Sequence, residues 1–192
     1  MTAREELIQA ALRLARRSGF GALSVRGVAR EAGIGATTLR HYFPSQVDLH
    51  RAVTTELITS ILGDLEIDDD AKDPAARLYD CLEQFLPEPG HESSSRSNWF
   101  DLYCTALAPD APLGLRNVLH AAHEASTAAV HRWLSTLAGQ GHVAEEDVDD
   151  QAAYVLAMIN GLHLCAAVEP QRYDLPREQR LLRWYVHKLL EN

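Results

Sequence analysis

Between Ser24 and Phe43 the chain reads Ser24-Val25-Arg26-Gly27-Val28-Ala29-Arg30-Glu31-Ala32-Gly33-Ile34-Gly35-Ala36-Thr37-Thr38-Leu39-Arg40-His41-Tyr42-Phe43. Ser24 is a good helix N-cap, and a short helix follows it to about Ala32. Gly33, four positions after Ala29, can take the left-handed conformation that a tight turn needs. A second short helix covers about Ala36 to Tyr42 and stops before Pro44. Two helices cross steeply through a tight turn only where the contact is small, and Ala29 is that small residue. Val28, Ile34 and Leu39 then close an apolar wedge between them. Ala, Gly at +4 and an aliphatic residue at +10 is helix-turn-helix spacing.

A unit of this kind offers the exposed face of its second helix to the major groove of DNA. That face here carries Ala36, Thr37, Thr38, Arg40 and His41. Threonine and alanine can contact thymine methyl groups, and Arg40 can pair with guanine or with a phosphate. Arg26 starts the preceding helix and reaches the same groove or its edge. Tyr42, Ser45 and Gln46 bring hydroxyl and amide donors suited to phosphate oxygens. Ala-x3-Gly turns also join helices in proteins that touch no DNA, so at this point a purely structural turn stays open beside the DNA reading.

Outward from this unit almost every long segment has helical period, and none alternates convincingly as a strand. A first helix runs over about Ala3 to Arg17 with Leu7, Ile8, Ala11, Leu14 and Ala15 on one face, and Ser18-Gly19-Phe20-Gly21 ends it. Ser45 caps a fourth helix that continues to about Leu62. Further helices are expected at 74–86, 98–108, 112–138, 146–168 and 176–190, parted by Pro- and Gly-rich separators. The expectation is an all-α chain of about nine helices, with a three-helix head that carries the helix-turn-helix over residues 1–52 and a helical body over 53–192.

The 192 residues are 46% hydrophobic and 23% charged, an ordinary globular composition. Cys81, Cys104 and Cys165 are too few and too scattered for a disulfide framework or a zinc cluster. The first residues enter a charged helix pattern rather than a secretory leader. No stretch of about 18 uncharged apolar residues is expected to span a bilayer. Together these features place the chain in the cytoplasm, without a membrane. The net charge of −9 is uneven. Residues 1–52 carry eight basic and four acidic side chains, whereas residues 53–192 carry ten and twenty-three. Counterion release at phosphates favours a basic head, and an acidic body is repelled from the duplex.

Residues 4–53 resemble the N-terminal domain of the tetracycline-repressor (TetR) family of bacterial transcriptional regulators. The likeness runs through Arg4, Ile8, Ala10-Ala11, Leu14, Gly19, Leu23-Ser24-Val25, Val28-Ala29, Ala32-Gly33-Ile34, Thr38-Leu39, Tyr42-Phe43, Ser45 and Leu49. It covers about a quarter of the chain. The resemblance implies a homodimer with two DNA-binding heads on a body that houses a small-molecule effector, whose occupancy lowers operator affinity. It also implies that Arg26, Thr37, Thr38, Arg40, His41 and Tyr42 contact DNA. Two departures stand out: Arg40 where the family often has Tyr, and Gln46 where it often has Lys. Operator preference is therefore expected to differ from that of relatives bearing the common residues.

In the body, helices 146–168 and 176–190 are apolar around most of their circumference and must be covered on several sides. Central helices of a monomer would satisfy that pattern; with the resemblance, a four-helix dimer interface is the expectation. Aromatic and polar groups on apolar helical faces, namely Trp99, Phe100, Tyr103, Cys104, His120, His123, Asn160 and His163, are candidates for an effector pocket. His120 and His123 share a helix face, but no further ligand completes a tetrahedral set, so no metal site is expected. No cofactor motif is present and no nucleophile–base pairing has recognisable context. The expected function is a ligand-responsive repressor that binds a palindromic double-stranded operator. The rivals are a helical-bundle enzyme and a protein-interaction module without a DNA-binding role.

Overall fold

The computed structural model describes residues 2–18, 22–90, 92, 100, 103–111 and 113–191, apart from the side chains of Arg16 and Leu113. Among these residues the structure is helical and contains no strand. The elements are α1 (Ala3–Ser18), α2 (Val25–Glu31), α3 (Ala36–Tyr42), α4 (Gln46–Ile61) and α5 (Pro74–Glu83). There follow α6, described over 103–107, then α7 (Leu113–Gly139), α8 (Val148–Val168) and α9 (Leu175–Leu190). A 3-10 turn, Glu145–Asp147, leads into α8. The all-α expectation holds.

The chain divides into two compact units. One comprises residues 1–60 with 101–125, and the other 61–100 with 126–192. In the first, α1 to α4 share one core: Leu7, Ile8, Ala11, Leu14, Leu23, Val28, Ala29, Leu39, Phe43, Leu49 and Val53 are all buried. α1 supplies this core because its apolar residues recur at helical spacing along one face. Gly27, in the middle of α2, answers a close approach: a Cβ there would lie 2.8 Å from the Ala22 carbonyl oxygen and 3.3 Å from Leu14 Cδ2. Arg17 at the end of α1 grips Glu31 at the end of α2 through two hydrogen bonds, at 2.6 and 3.3 Å. That contact draws the Glu31 carboxyl below its ordinary range and raises the Arg17 guanidinium.

In the second unit, Leu78 and Leu82 of α5, Val130, Trp133, Leu134 and Leu137 of α7, Val155 and Ile159 of α8 and Leu182 of α9 are buried. The acidic loop before α5 is stitched to this core by its own carboxylates. Asp64 accepts from Arg132 Nε at 2.9 Å and from Trp133 Nε1 at 2.8 Å. The Arg132 contact first, and Trp133 after it, hold the Asp64 carboxyl below its usual range. Arg77, 3% exposed, donates to the Ile67 carbonyl and to Gln140 Oε1. The turn that ends α5 comes earlier than residue 86, because Gln84 folds back and donates to Cys81 O and Gly63 O.

α8 corrects one expectation. With its leading turn it spans Glu145–Val168, 24 residues with a window of mean hydropathy 1.4, long and apolar enough by length and composition to cross a bilayer. Only a third of that window is buried within the chain. Gln151, Asn160 and His163 make its sequence polar in places without adding charge.

Candidate nucleic-acid interface

The helix-turn-helix is set by local chemistry. Ser24, with φ −115° and ψ 156°, accepts from Gly27 N at 3.0 Å and so starts α2. After Glu31 the chain turns through Gly33 at φ +68°, the left-handed value for which glycine carries no Cβ penalty. Ile34 N donates to Ala29 O at 3.0 Å and closes the turn. Val28, Ala29 and Leu39 are buried at 0%, 3% and 0% exposure, which is the small wedge that lets α2 and α3 cross. Ser45 and Asp48 cap α4 reciprocally: Asp48 N donates to Ser45 Oγ at 3.1 Å, while Ser45 N and Oγ donate to Asp48 Oδ2. The Asp48 carboxyl is lowered by those donations from Ser45.

This packing leaves the outer face of α3 to solvent. Thr37, Thr38, Arg40, His41 and Tyr42 are exposed, and Ala36 is half-buried. His41 and Tyr42 meet edge to face, with ring centroids 5.6 Å apart. Arg26 is exposed at the start of α2. Gln46 is exposed as well, but its amide nitrogen reaches back to Leu23 O at 3.3 Å. Arg4 lies over the Phe43 ring at 5.3 Å, adding a cation–π contact between α1 and the end of α3. The arrangement can place hydroxyls, a guanidinium and an imidazole on base edges from a rigid helix, with Arg26 to one side.

The candidate effector residues divide between the two units. Tyr103, Cys104, His120 and His123 belong to the unit that holds α1–α4, and Phe100, Asn160 and His163 to the other. Tyr103 is half-buried, and burial raises its phenol. Cys104, His120 and His123 are exposed, with His120 Nδ1 3.4 Å from Glu124. Asn160 and His163 are half-buried on α8. Trp99 lies outside the described residues. No group of three metal-ligating side chains occurs among the described residues. His50 is 2% exposed in the second turn of α4. A histidine beside Leu49 carries no sequence signal of what it will meet.

Comparison with known proteins agrees with this geometry. Residues 7–53 match the family model for bacterial regulatory proteins of the tetR family, and residues 74–191 match that for the C-terminal part of BetI-type transcriptional repressors. The HTH-type transcriptional regulator PksA of Bacillus subtilis (strain 168) is 24% identical over 190 residues, covering 97% of this chain and 89% of that protein. A transcriptional regulator from Rhodococcus sp. Rha1 superposes with a TM-score of 0.56 at 23% identity, covering 99% of this chain and 97% of its own. The multidrug binding protein EbrR, solved with imidazole, superposes with a TM-score of 0.57 at 20% identity, over 99% and 96% of the two chains. The chain belongs to the TetR family, with a BetI-type C-terminal region, and is a DNA-binding transcriptional regulator rather than an enzyme.

Proposed function

We propose that residues 1–52 place α3 in the major groove of a palindromic operator, with Ala36, Thr37, Thr38, Arg40 and His41 toward base edges and Arg26, Tyr42 and Gln46 toward the backbone. The observation that carries this reading is the exposed polar face of α3, set on a buried wedge of Val28, Ala29 and Leu39. Residues 53–192 dimerise and take a small-molecule effector, and effector binding releases the operator in the cytoplasm. TetR-family regulators bind DNA as dimers and respond to small molecules. EbrR was solved with imidazole and with proflavin, and a Saccharomonospora viridis regulator in complex with choline.

The dimer surface in this reading is formed by α8 and α9. Tyr154, Leu164 and Val168 of α8 are 59%, 53% and 72% exposed, and Trp184 of α9 is 62% exposed. The α8 residues recur at helical spacing, with half-buried Met158, Gly161 and Cys165 between them. A run of large apolar groups of this kind marks an interaction surface. Tyr154 stacks on Tyr185, and Tyr185 donates to Gln151 at 3.0 Å, so these side chains tie α9 to α8 where the surface begins.

Selection of bound duplexes from a random pool tests the whole reading. The expected result is a palindrome with two half-sites about one or more helical turns apart. A pool that yields no duplex even at low salt overturns it.

A further inference from the structure

His50 sits in the second turn of α4 at 2% exposure, and its Nε2 lies 2.5 Å from Leu23 O. A carbonyl oxygen only accepts, so Nε2 carries the hydrogen and donates it. Gln46 Nε2 donates to the same oxygen at 3.3 Å. Leu23 immediately precedes Ser24, the residue that caps α2. Two donors from α4 therefore fix the carbonyl from which α2 sets out.

The other side of the ring is bare backbone. Gly114, in the first turn of α7, lies so close that a Cβ on it would stand 2.6 Å from His50 Cε1 and 3.6 Å from Gln46 Nε2. The ring Nδ1 is buried with no hydrogen-bond partner among the described residues. A close-packed ring held by a hydrogen bond on one side and by backbone on the other has nowhere to yield. A side chain at 114 collides with this ring, and the strain falls on the contact between α4 and the start of α7.

We propose that His50, seated by Gly114, is a positioning residue for DNA binding. It holds the Leu23 carbonyl, and through it the start of α2, so the volume of the side chain at 114 sets how Arg26 and α3 are presented to the operator. Neither residue belongs to the helix-turn-helix, and neither touches DNA in this reading.

The test uses the full-length chain and a duplex that the wild-type protein recovers from a random pool. Gly114→Ala is expected to weaken binding about tenfold or more, equivalent to ~1.4 kcal/mol. His50→Gln, whose amide nitrogen falls near the position of the ring Nε2, stays within about threefold of wild type, whereas the shorter His50→Asn weakens binding like Gly114→Ala. Gly114→Ala adds nothing to His50→Ala, because the ring it displaces is gone. Amide hydrogen exchange over residues 24–31 accelerates in Gly114→Ala and His50→Asn and is unchanged in His50→Gln. Wild-type affinity in Gly114→Ala, additive effects of Gly114→Ala and His50→Ala, or equal losses in His50→Gln and His50→Asn each overturn the proposal. If the wild-type chain recovers no duplex, the operator reading fails, and the exchange pattern still decides whether His50 positions α2.

Discussion

The helix-turn-helix and the α8–α9 surface are both built on apolar residues, and they end in opposite states. Val28, Ala29 and Leu39 vanish into the core that α1 to α4 form within one chain. Leu164, Val168 and Trp184 remain more than half exposed. The first region satisfies its hydrophobic demand within one chain and, in the proposed reading, turns its polar face to DNA. The second leaves apolar area in water, roughly 25 cal/mol for each Å² still to be gained by covering it. Burial in the head is thus a matter of folding, and on α8 and α9, in the dimer proposed above, it is a matter of association.

The sharpest way to break this contrast is to charge the second region. Leu164→Glu is expected to turn dimers into monomers, since an uncompensated buried carboxylate costs about 3–5 kcal/mol. Sedimentation or light scattering reads the change, and operator binding falls with it. A variant that remains dimeric would show that α8 does not carry the interface. In the head the corresponding insult is steric. Gly27→Ala puts a methyl against Ala22 O and Leu14, and overpacking of this kind costs about 1–3 kcal/mol of stability in chemical denaturation. An unchanged midpoint would mean that α2 has slack that the packing does not show.

Arg40→Ala separates recognition from folding. Specific binding to the selected duplex weakens by about 1–3 kcal/mol, with dimerisation and the unfolding midpoint untouched. Equal losses on every duplex would make Arg40 a phosphate contact instead of a base contact.

The smallest effect belongs to Asp64. Its carboxyl is held below the usual range by Arg132 and then Trp133, so its contribution is fully present above the unfolded carboxylate value of about 3.9. The contribution is lost as pH falls through the lower folded value. Asp64→Asn is expected to lower stability near neutral pH by no more than about 1 kcal/mol, because the pair is half exposed. The two proteins converge in acid. A gap that stays constant down to pH 2 would place the effect in packing and not in charge.

Much of this architecture is legible from residues a few positions apart. Ser24 and Ser45 cap α2 and α4 as their side chains foretell, Gly33 takes its positive φ, and Pro176 stands in the first turn of α9. These choices are local: a cap needs one oxygen and a turn needs one glycine. Legibility ends where a side chain reaches across the chain. Gln46 reads as a free phosphate donor, yet its amide also bonds Leu23 O, 23 residues away. Asp64 reads as one more acid in a solvated loop, yet it holds Arg132 and Trp133, 68 and 69 residues on.

Amino-acid order alone determined the helical class, the caps of α2 and α4, the wedge between α2 and α3 and the basic sign of the first 52 residues, because each rests on backbone geometry or simple charge. Tertiary structure decided which polar groups are already engaged, why Gly27 and Gly114 carry no side chain, and which half of α8 stays in water. Helical period tells which face of a helix is apolar, and only packing tells what that face meets.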